Sequence, residues 1–370
     1  MPSRGEYTQI PVELGERGYP VIIGTRVLGE LGDLLRERQI MGKIAVVSTP
    51  RVLELYGEAV KEALRDWEPG VHILAIEEGE EAKNLETVAA LYDRLLERAF
   101  ERSSTIIALG GGMIGDTAGF AAATLFRGVD FVQVPTTILA QVDAAIGGKV
   151  GVNHPLGKNL VGAIYQPRLV LADISTLRTL PGREVRSGLA EIIKYGVIRD
   201  RALFEFVEGK LDGLLDCEPE ALTRTVAGCC RIKAEIVRED EREITGLRAI
   251  LNYGHTIGHA VESLSGYGRF RHGEAVTIGM LAAGELGMEY AGFPEQERDR
   301  FTRLILKAGF PTDLDGLDDQ AIIDRTYSDK KVVDGQVRYV LPERLGTVRL
   351  VSDVSEASVR RALAYVRSLS

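Results

Sequence analysis

Through the first half of the chain, short β-branched and apolar runs alternate with longer stretches whose apolar residues recur at helical spacing. Residues 19–23 read as a strand and 27–38 as a helix, 43–48 as a strand and 52–67 as a helix, 71–76 as a strand and 86–98 as a helix. The run 105–109 makes a further strand, and 129–134 and 168–173 two more. Such alternation predicts βαβ units in a largely parallel, doubly wound sheet, because each parallel pair needs a crossover and a helix supplies it.

The texture changes after Pro181. Helical spacing then runs through 184–199, 202–215, 218–239, 255–264, 274–291 and 295–308, with a brief strand signal at 337–341. The expectation is a Rossmann-like α/β domain over residues 1–181, followed by a mostly helical domain over 182–370. A length of 370 residues suits two domains of ordinary size.

The strand at 105–109 delivers the chain into Gly110, Gly111 and Gly112, and an Ala-rich helical run follows. A glycine turn at a helix start makes an anion site, since free backbone N–H groups and the helix dipole both point into it. Gly110, Gly112 and Gly115 match GxGxxG, which reads as phosphate or dinucleotide binding, against the plainer reading of a tight turn. A standard Rossmann reading would send an acid about 20 residues on, here Asp130, to the ribose. Further along, Asp143, Lys149, Asn153, Lys158 and Asn159 lie among glycines with few bulky neighbours, which suits a ligand-binding surface better than packing.

A net charge of -9 argues against nonspecific nucleic-acid binding, which needs clustered Lys and Arg, yet leaves room for a local basic pocket. The opening MPSRGEYTQIPVE lacks an apolar signal core, and the longest small apolar run, 120–126, is too short to cross a bilayer. A cytoplasmic protein with no membrane part is expected. Cys217, Cys229 and Cys230 show no CxxC spacing and suit a reducing compartment as small buried residues.

Of five histidines, three fall between positions 255 and 272. His255 and His259 are spaced i, i+4 and would share one helix face, with His272 following in RHGE. Catalytic zinc sites take three protein ligands, often two His and a carboxylate. The spacing points first to the i, i+4 pair, with Glu262, Glu274 or Glu191 as third ligand, against a plain reading of capping and core hydrogen bonds. Lys149, Lys158, Lys194, Lys233, Arg248 and Lys330 stand among glycines and amides. Singly each reads as a surface charge. Beside a metal motif they suggest a substrate with more than one negative group.

These segments carry a resemblance over almost the whole length. GGGMIGD at 110–116, FRG at 126–128, PTTILAQVDAAIGGKVGVNHPLGKN at 135–159 and LPGRE at 180–184 are similar to the 3-dehydroquinate synthase family of sugar-phosphate cyclases. So are GLAEIIKYG at 188–196, LRAILNYGHTIGHAVE at 247–262, HGEAV at 272–276 and DKK at 329–331. The resemblance implies an NAD-binding α/β domain, a helical metal- and substrate-binding domain, and an active site in the cleft between them. The implied metal ligands for zinc or cobalt are Glu191, His255 and His272, which replaces the i, i+4 reading and makes His259 a substrate contact. Implied NAD contacts are Glu80, Lys83, Gly111, Gly112, Met113, Asp116, Thr136, Thr137, Leu139, Lys158, Thr179 and Glu184. Implied substrate contacts are Asp143, Lys149, Asn159, Lys194, Lys233, Arg248, Asn252, His259 and Lys330. Arg127 matches an arginine that reaches the phosphate from the partner subunit of a homodimer.

The activity so implied converts 3-deoxy-D-arabino-heptulosonate 7-phosphate to 3-dehydroquinate and phosphate, within the shikimate route to aromatic amino acids. The implied course is transient oxidation by NAD, β-elimination of phosphate, re-reduction, ring opening and intramolecular aldol addition. Two departures from the family pattern stand out. Ser48-Thr49-Pro50 replaces an acid or amide expected near the end of the second α/β strand, so the adenosine ribose is expected to be held differently. The loop 240–248 is one residue longer than usual between Lys233 and Arg248.

Overall fold

The first half of the chain builds a seven-stranded sheet. Its strands are β1 (Tyr7–Val12), β2 (Tyr19–Gly24), β3 (Ile44–Ser48), β4 (Val71–Ala75), β5 (Thr105–Gly110) and β6 (Asp130–Pro135), completed later by β9 (Leu169–Asp173). A separate antiparallel hairpin, β7 (Lys149–His154) with β8 (Gly157–Ile164), precedes that last strand. The sheet order is β1-β2-β9-β6-β5-β3-β4, parallel throughout except for the antiparallel edge strand β1. This computed structural model describes residues 7–266, 269–327, 332–333 and 336–370.

Successive side chains of a strand point to opposite faces, and here both faces are apolar. Val47, Ile106 and Ala108 join one core with α3 (Leu85–Leu96), α4 (Gly112–Thr124) and the β7–β8 hairpin. Val46, Ile107 and Leu109 join the other with α1 (Leu31–Glu37) and α2 (Pro50–Ala63). A sheet covered on both sides needs strands that are apolar without a break, which is why 105–109 carries no polar alternation. Asn84 caps α3 by accepting the Thr87 N–H at 2.8 Å, and Thr49 caps α2, with Pro50 at its first position.

The stretch expected as one helix at 27–38 opens with a 3-10 turn, Val27–Glu30. Asp173, at the end of β9, accepts the N–H groups of Arg26 and Leu28 at 2.9 Å each and holds that entry tight.

The chain divides into two compact units: residues 1–180 with 222–238, and residues 181–221 with 239–370. The second unit contains α5 (Gly182–Ile198), α6 (Arg201–Gly209) and α7 (Leu211–Leu215), so the helix expected over 202–215 breaks at Lys210. The long helix α8 (Pro219–Glu239) contributes most of its length to the first unit. Then come α9 (His255–Leu264), α10 (His272–Tyr290), α11 (Glu295–Lys307), α12 (Asp319–Tyr327) and α13 (Glu356–Arg367), with an antiparallel pair Tyr339–Arg344 and Thr347–Val351. Among the described residues no helix is long and apolar enough to cross a membrane.

Candidate active site

In the first unit, β5 ends at Gly110 and α4 starts at Gly112, with Gly111 as its N-cap. The first turn of α4 holds no acidic residue, and no side chain caps it. A Cβ on Gly111 would come 3.3 Å from Thr137 Cγ2, and one on Gly112 3.3 Å from Ala144 Cβ, so side chains here would fill the turn. Gly115 and Gly119 serve packing instead: a Cβ on the first would lie 2.7 Å from Gln133 Oε1, and one on the second would run into Val150 Cγ1. Asp130 is at the other end of the sheet from the turn, since it starts β6 beside Thr105 while Gly110 pairs with Pro135. The Rossmann-style ribose role for Asp130 is thereby excluded.

Near this turn a polar network forms. Buried Lys83 donates to Asp116 Oδ2 at 2.5 Å and to Asn159 Oδ1 at 2.6 Å. Asn159, at φ +54, donates its backbone N–H to Asn153 Oδ1, and Asn153 Nδ2 donates to Glu80 Oε1 at 2.8 Å. Lys83 thus joins Asp116 and Asn159 directly, and Asn153 links Asn159 to Glu80. Burial raises the Asp116 carboxyl, against the opposing pull of Lys83. Thr136 is buried and donates its N–H to the Gly110 carbonyl at 3.0 Å, while Thr137 Oγ1 accepts from the Ala140 N–H. Met113 and Leu139 are half-buried; Thr179 is exposed and shares a hydrogen bond with Tyr56.

Lys233 on α8 is buried and donates to Asp143 Oδ1 at 2.6 Å and to the Asp143 carbonyl. Lys149 is exposed, and Lys158 half-buried, on the β7–β8 hairpin. Arg127 is exposed at φ +66, directly after Phe126 at φ +50. The Ser48 hydroxyl is buried and donates to the Leu109 carbonyl at 2.7 Å, and Thr49 Oγ1 accepts from the Val52 N–H.

In the second unit, glycines bring three helices into backbone contact. A Cβ on Gly279 of α10 would run into the carbonyl of Gly254, at the start of α9. One on Gly258 of α9 would come 2.9 Å from the Ala275 carbonyl, and one on Gly273 would run into Ser187 of α5. Each contact has a site residue beside it: His255 and His259 follow glycines, His272 precedes one, and Glu191 is one turn past Ser187.

The result is a triad. Ligand atoms of Glu191, His255 and His272 all lie within 4.8 Å of one another. Both imidazoles direct Nε2 at the same oxygen, Glu191 Oε1, at 3.7 Å. His255 Nδ1 donates to the Tyr253 carbonyl at 3.0 Å, which leaves a lone pair on Nε2 in the neutral ring. Burial opposes a charge on His272, but the hydrogen bonds and charges of Glu191 and Glu262 prevail and raise it to about 9. Buried Lys194 contacts Glu191 Oε2. Two imidazole nitrogens and a carboxylate, with a cation displacing the proton from His272, fit zinc or cobalt.

The i, i+4 pair does converge, with His255 and His259 ring centroids 5.3 Å apart, but the carboxylate that faces the lone pairs comes from α5. Glu274 is taken up otherwise: Arg183 clasps it with two bonds of 2.7 and 2.6 Å, and the Arg271 N–H donates to it at 2.8 Å. Arg248 is buried, with Nη1 donating to the Glu241 carbonyl at 2.8 Å and Nε 3.4 Å from Glu243 Oε1. Asn252 is half-buried, and Glu184 pairs with Arg271 at 3.1 Å. Lys330 lies outside the described residues. Sequence reasoning missed the roles of Gly254, Gly258, Gly273 and Gly279; the signal for three of them was a glycine next to each histidine.

The model of the 3-dehydroquinate synthase N-terminal domain matches residues 73–187, and that of the C-terminal domain matches residues 188–332. The 3-dehydroquinate synthase of Pelotomaculum thermopropionicum is 51% identical, covering 91% of each chain. That of Desulforamulus reducens is 48% identical over 96% of this chain and 99% of its own. Among solved structures, 2-deoxy-scyllo-inosose synthase with carbaglucose-6-phosphate, NAD+ and Co2+ is 30% identical at a TM-score of 0.88, covering 98% of this chain and 100% of its own. The 2-epi-5-epi-valiolone synthase of Streptomyces hygroscopicus, with NAD+ and Zn2+, is 28% identical at 0.87, covering 95% and 97%. A glycerol dehydrogenase of Schizosaccharomyces pombe shares the fold at a TM-score of 0.67 and 16% identity. With both domain models matched in tandem and near-half identity sustained from end to end, the chain belongs to the 3-dehydroquinate synthase family.

Proposed function

We propose that this protein converts 3-deoxy-D-arabino-heptulosonate 7-phosphate to 3-dehydroquinate and inorganic phosphate, as an NAD- and divalent-metal-dependent lyase. The observation that carries the reading is the convergence of Glu191, His255 and His272 in a chain so similar to relatives of that name. When bound, zinc or cobalt on those three residues would supply Lewis acidity at the substrate hydroxyls, and NAD at the glycine turn a hydride acceptor restored within each turnover.

The residues' share is recognition and positioning. Lys149 and Arg248 take the carboxylate, which requires Arg248 to exchange the Glu241 carbonyl and Glu243 for the substrate anion. Asn159, Lys194, His259 and Lys330 take the phosphate, and Asp143, Lys233 and Asn252 the remaining polar groups. Lys194, now on Glu191, is one charge that can be redistributed when a cation and a phosphate arrive. Holding both ends of the substrate fixes one reactive conformer and lowers the entropic part of the barrier. Lys83, Asp116 and Glu80 serve NAD together with the turn, joined by Met113, Thr136, Thr137, Leu139, Lys158, Thr179 and Glu184. Arg127 reaches the phosphate of a partner subunit in a homodimer; the left-handed backbone at Phe126 and Arg127 is the strained kind of loop that functional presentation favours. The enzyme works in the cytoplasm.

The test is to mix the protein with the heptulosonate phosphate and NAD well below substrate concentration. Phosphate should be released without net NADH. NADH accumulating in step with product would instead indicate a polyol-type dehydrogenase. The similarity to valiolone and inosose synthases favours one further reading, a cyclase for a substrate without a carboxylate, which a preference for sedoheptulose 7-phosphate would establish.

A further inference from the structure

Glu262 belongs neither to the ligand set nor to the substrate contacts. It shares one face of α9 with His255 and His259, seven and three residues before it, and its side chain is only 12% exposed. Its Oε2 meets His272 Nδ1 at 3.3 Å, while Nε2 of the same ring faces Glu191 Oε1 at 3.7 Å. An ionised carboxylate can only accept, so Nδ1 keeps its proton at the 3.3 Å contact, and Nε2, farther from its carboxylate, is the nitrogen that would give up a proton to a cation. His255 is set the same way, with the Tyr253 carbonyl as acceptor. For His255 the fold itself supplies the acceptor. For His272 a side chain does.

We infer that Glu262 is a positioning residue of the metal site, fixing the tautomer and ring orientation of His272 without being a ligand. Glu191 Oε1 faces the Nε2 atoms of both histidines, whereas Glu262 addresses the rear nitrogen of one. Carboxylates that accept from a ligating histidine in this way typically change metal affinity 10- to 100-fold when altered. The inference rests on the metal reading above.

The experiment titrates the full chain with Zn2+ against a competing chelator and follows Co2+ by its visible absorption. Glu262→Ala should weaken Zn2+ by about 10- to 100-fold. Glu262→Gln keeps an acceptor at the same reach and should recover most of that loss. At saturating Co2+ both variants should give the wild-type spectrum, because the ligands are unchanged. Wild-type affinity in Glu262→Ala would overturn the inference, and so would an altered Co2+ spectrum in both variants, which would make Glu262 a ligand. Should Glu262→Ala fail to fold, 15N spectra of the zinc-loaded wild type decide: zinc on Nε2 of His272 with the proton on Nδ1 is expected, and the reverse refutes it. A wild type that binds neither ion removes the metal reading itself, a different failure from wild-type binding that is indifferent to Glu262.

Discussion

Ser48 Oγ donates to the backbone carbonyl of Leu109 at 2.7 Å, tying the end of β3 to the residue that leads into the glycine turn. The hydroxyl is buried and already spends its proton inside the sheet. Ser48→Ala should therefore cost about 1 kcal/mol of stability, a typical net value for such a bond, with only a modest loss of NAD affinity. Urea unfolding and NAD titration measure the two separately. A collapse of NAD binding would show that the hydroxyl holds the cofactor in place of the missing acid.

Chelation should abolish activity, and zinc or cobalt should restore it. His272→Ala should lose the metal, whereas His259→Ala should retain most of it and lose turnover, as metal analysis alongside rate measurements would show. The opposite pattern would return the ligand role to the i, i+4 pair.

If Arg248 takes the substrate carboxylate as proposed, Arg248→Met removes a charge-assisted hydrogen bond worth on the order of 1.5–3 kcal/mol, so kcat/KM should fall roughly 10- to 160-fold. An analogue without the carboxylate should suffer far less. Equal losses on both compounds would mean that Arg248 does not read the carboxylate.

Asp240 anchors the loop that carries Arg248. It accepts the N–H groups of Ile244, Thr245 and Arg248 at 2.8, 3.1 and 3.1 Å. Burial works against its charge, but these donors prevail and hold its carboxyl below the ordinary value. A depressed folded value means that its contribution is complete above the unfolded carboxylate range, and is lost as pH falls through the folded value. Wild-type stability should drop on acidification below about pH 4, and Asp240→Asn should flatten that limb. An unchanged limb in the variant would show that Asp240 is not the group responsible.

Gly258→Ala would press a methyl toward the Ala275 carbonyl 2.9 Å away, and Gly279→Ala would drive one into the Gly254 carbonyl. Overpacking against backbone, which cannot rotate aside, should cost about 1–3 kcal/mol for the first and more for the second. Zinc affinity should fall in parallel with stability. Stable variants with full affinity would refute the role given to these contacts.

The alternation of strand and helix was legible because a doubly covered sheet writes itself as unbroken apolar runs such as 105–109. The β7–β8 hairpin was not. Gly151 and Gly162 pair across it with no side chains, and 149–159 therefore looks like a loop of polar residues. Helix spacing put His255 and His259 on one face, but spacing within α9 says nothing about which helices pack against that face. Glu191 lies 64 residues before His255, and only the resemblance singled it out. His272 Nδ1 meets Glu262, ten residues earlier, in a contact between the end of α9 and the start of α10 that no periodicity describes.

The glycine contacts between α9 and α10 have a consequence for how this site can drift over generations. Two helices kept apart by side chains acquire a new separation whenever one of those side chains is exchanged. Here the spacer is bare main chain, whose thickness mutation elsewhere does not alter. The span from His255 to His272 therefore behaves as a fixed length, and the apolar interior around it is free to be rewritten without retuning the gap in which a cation would fit.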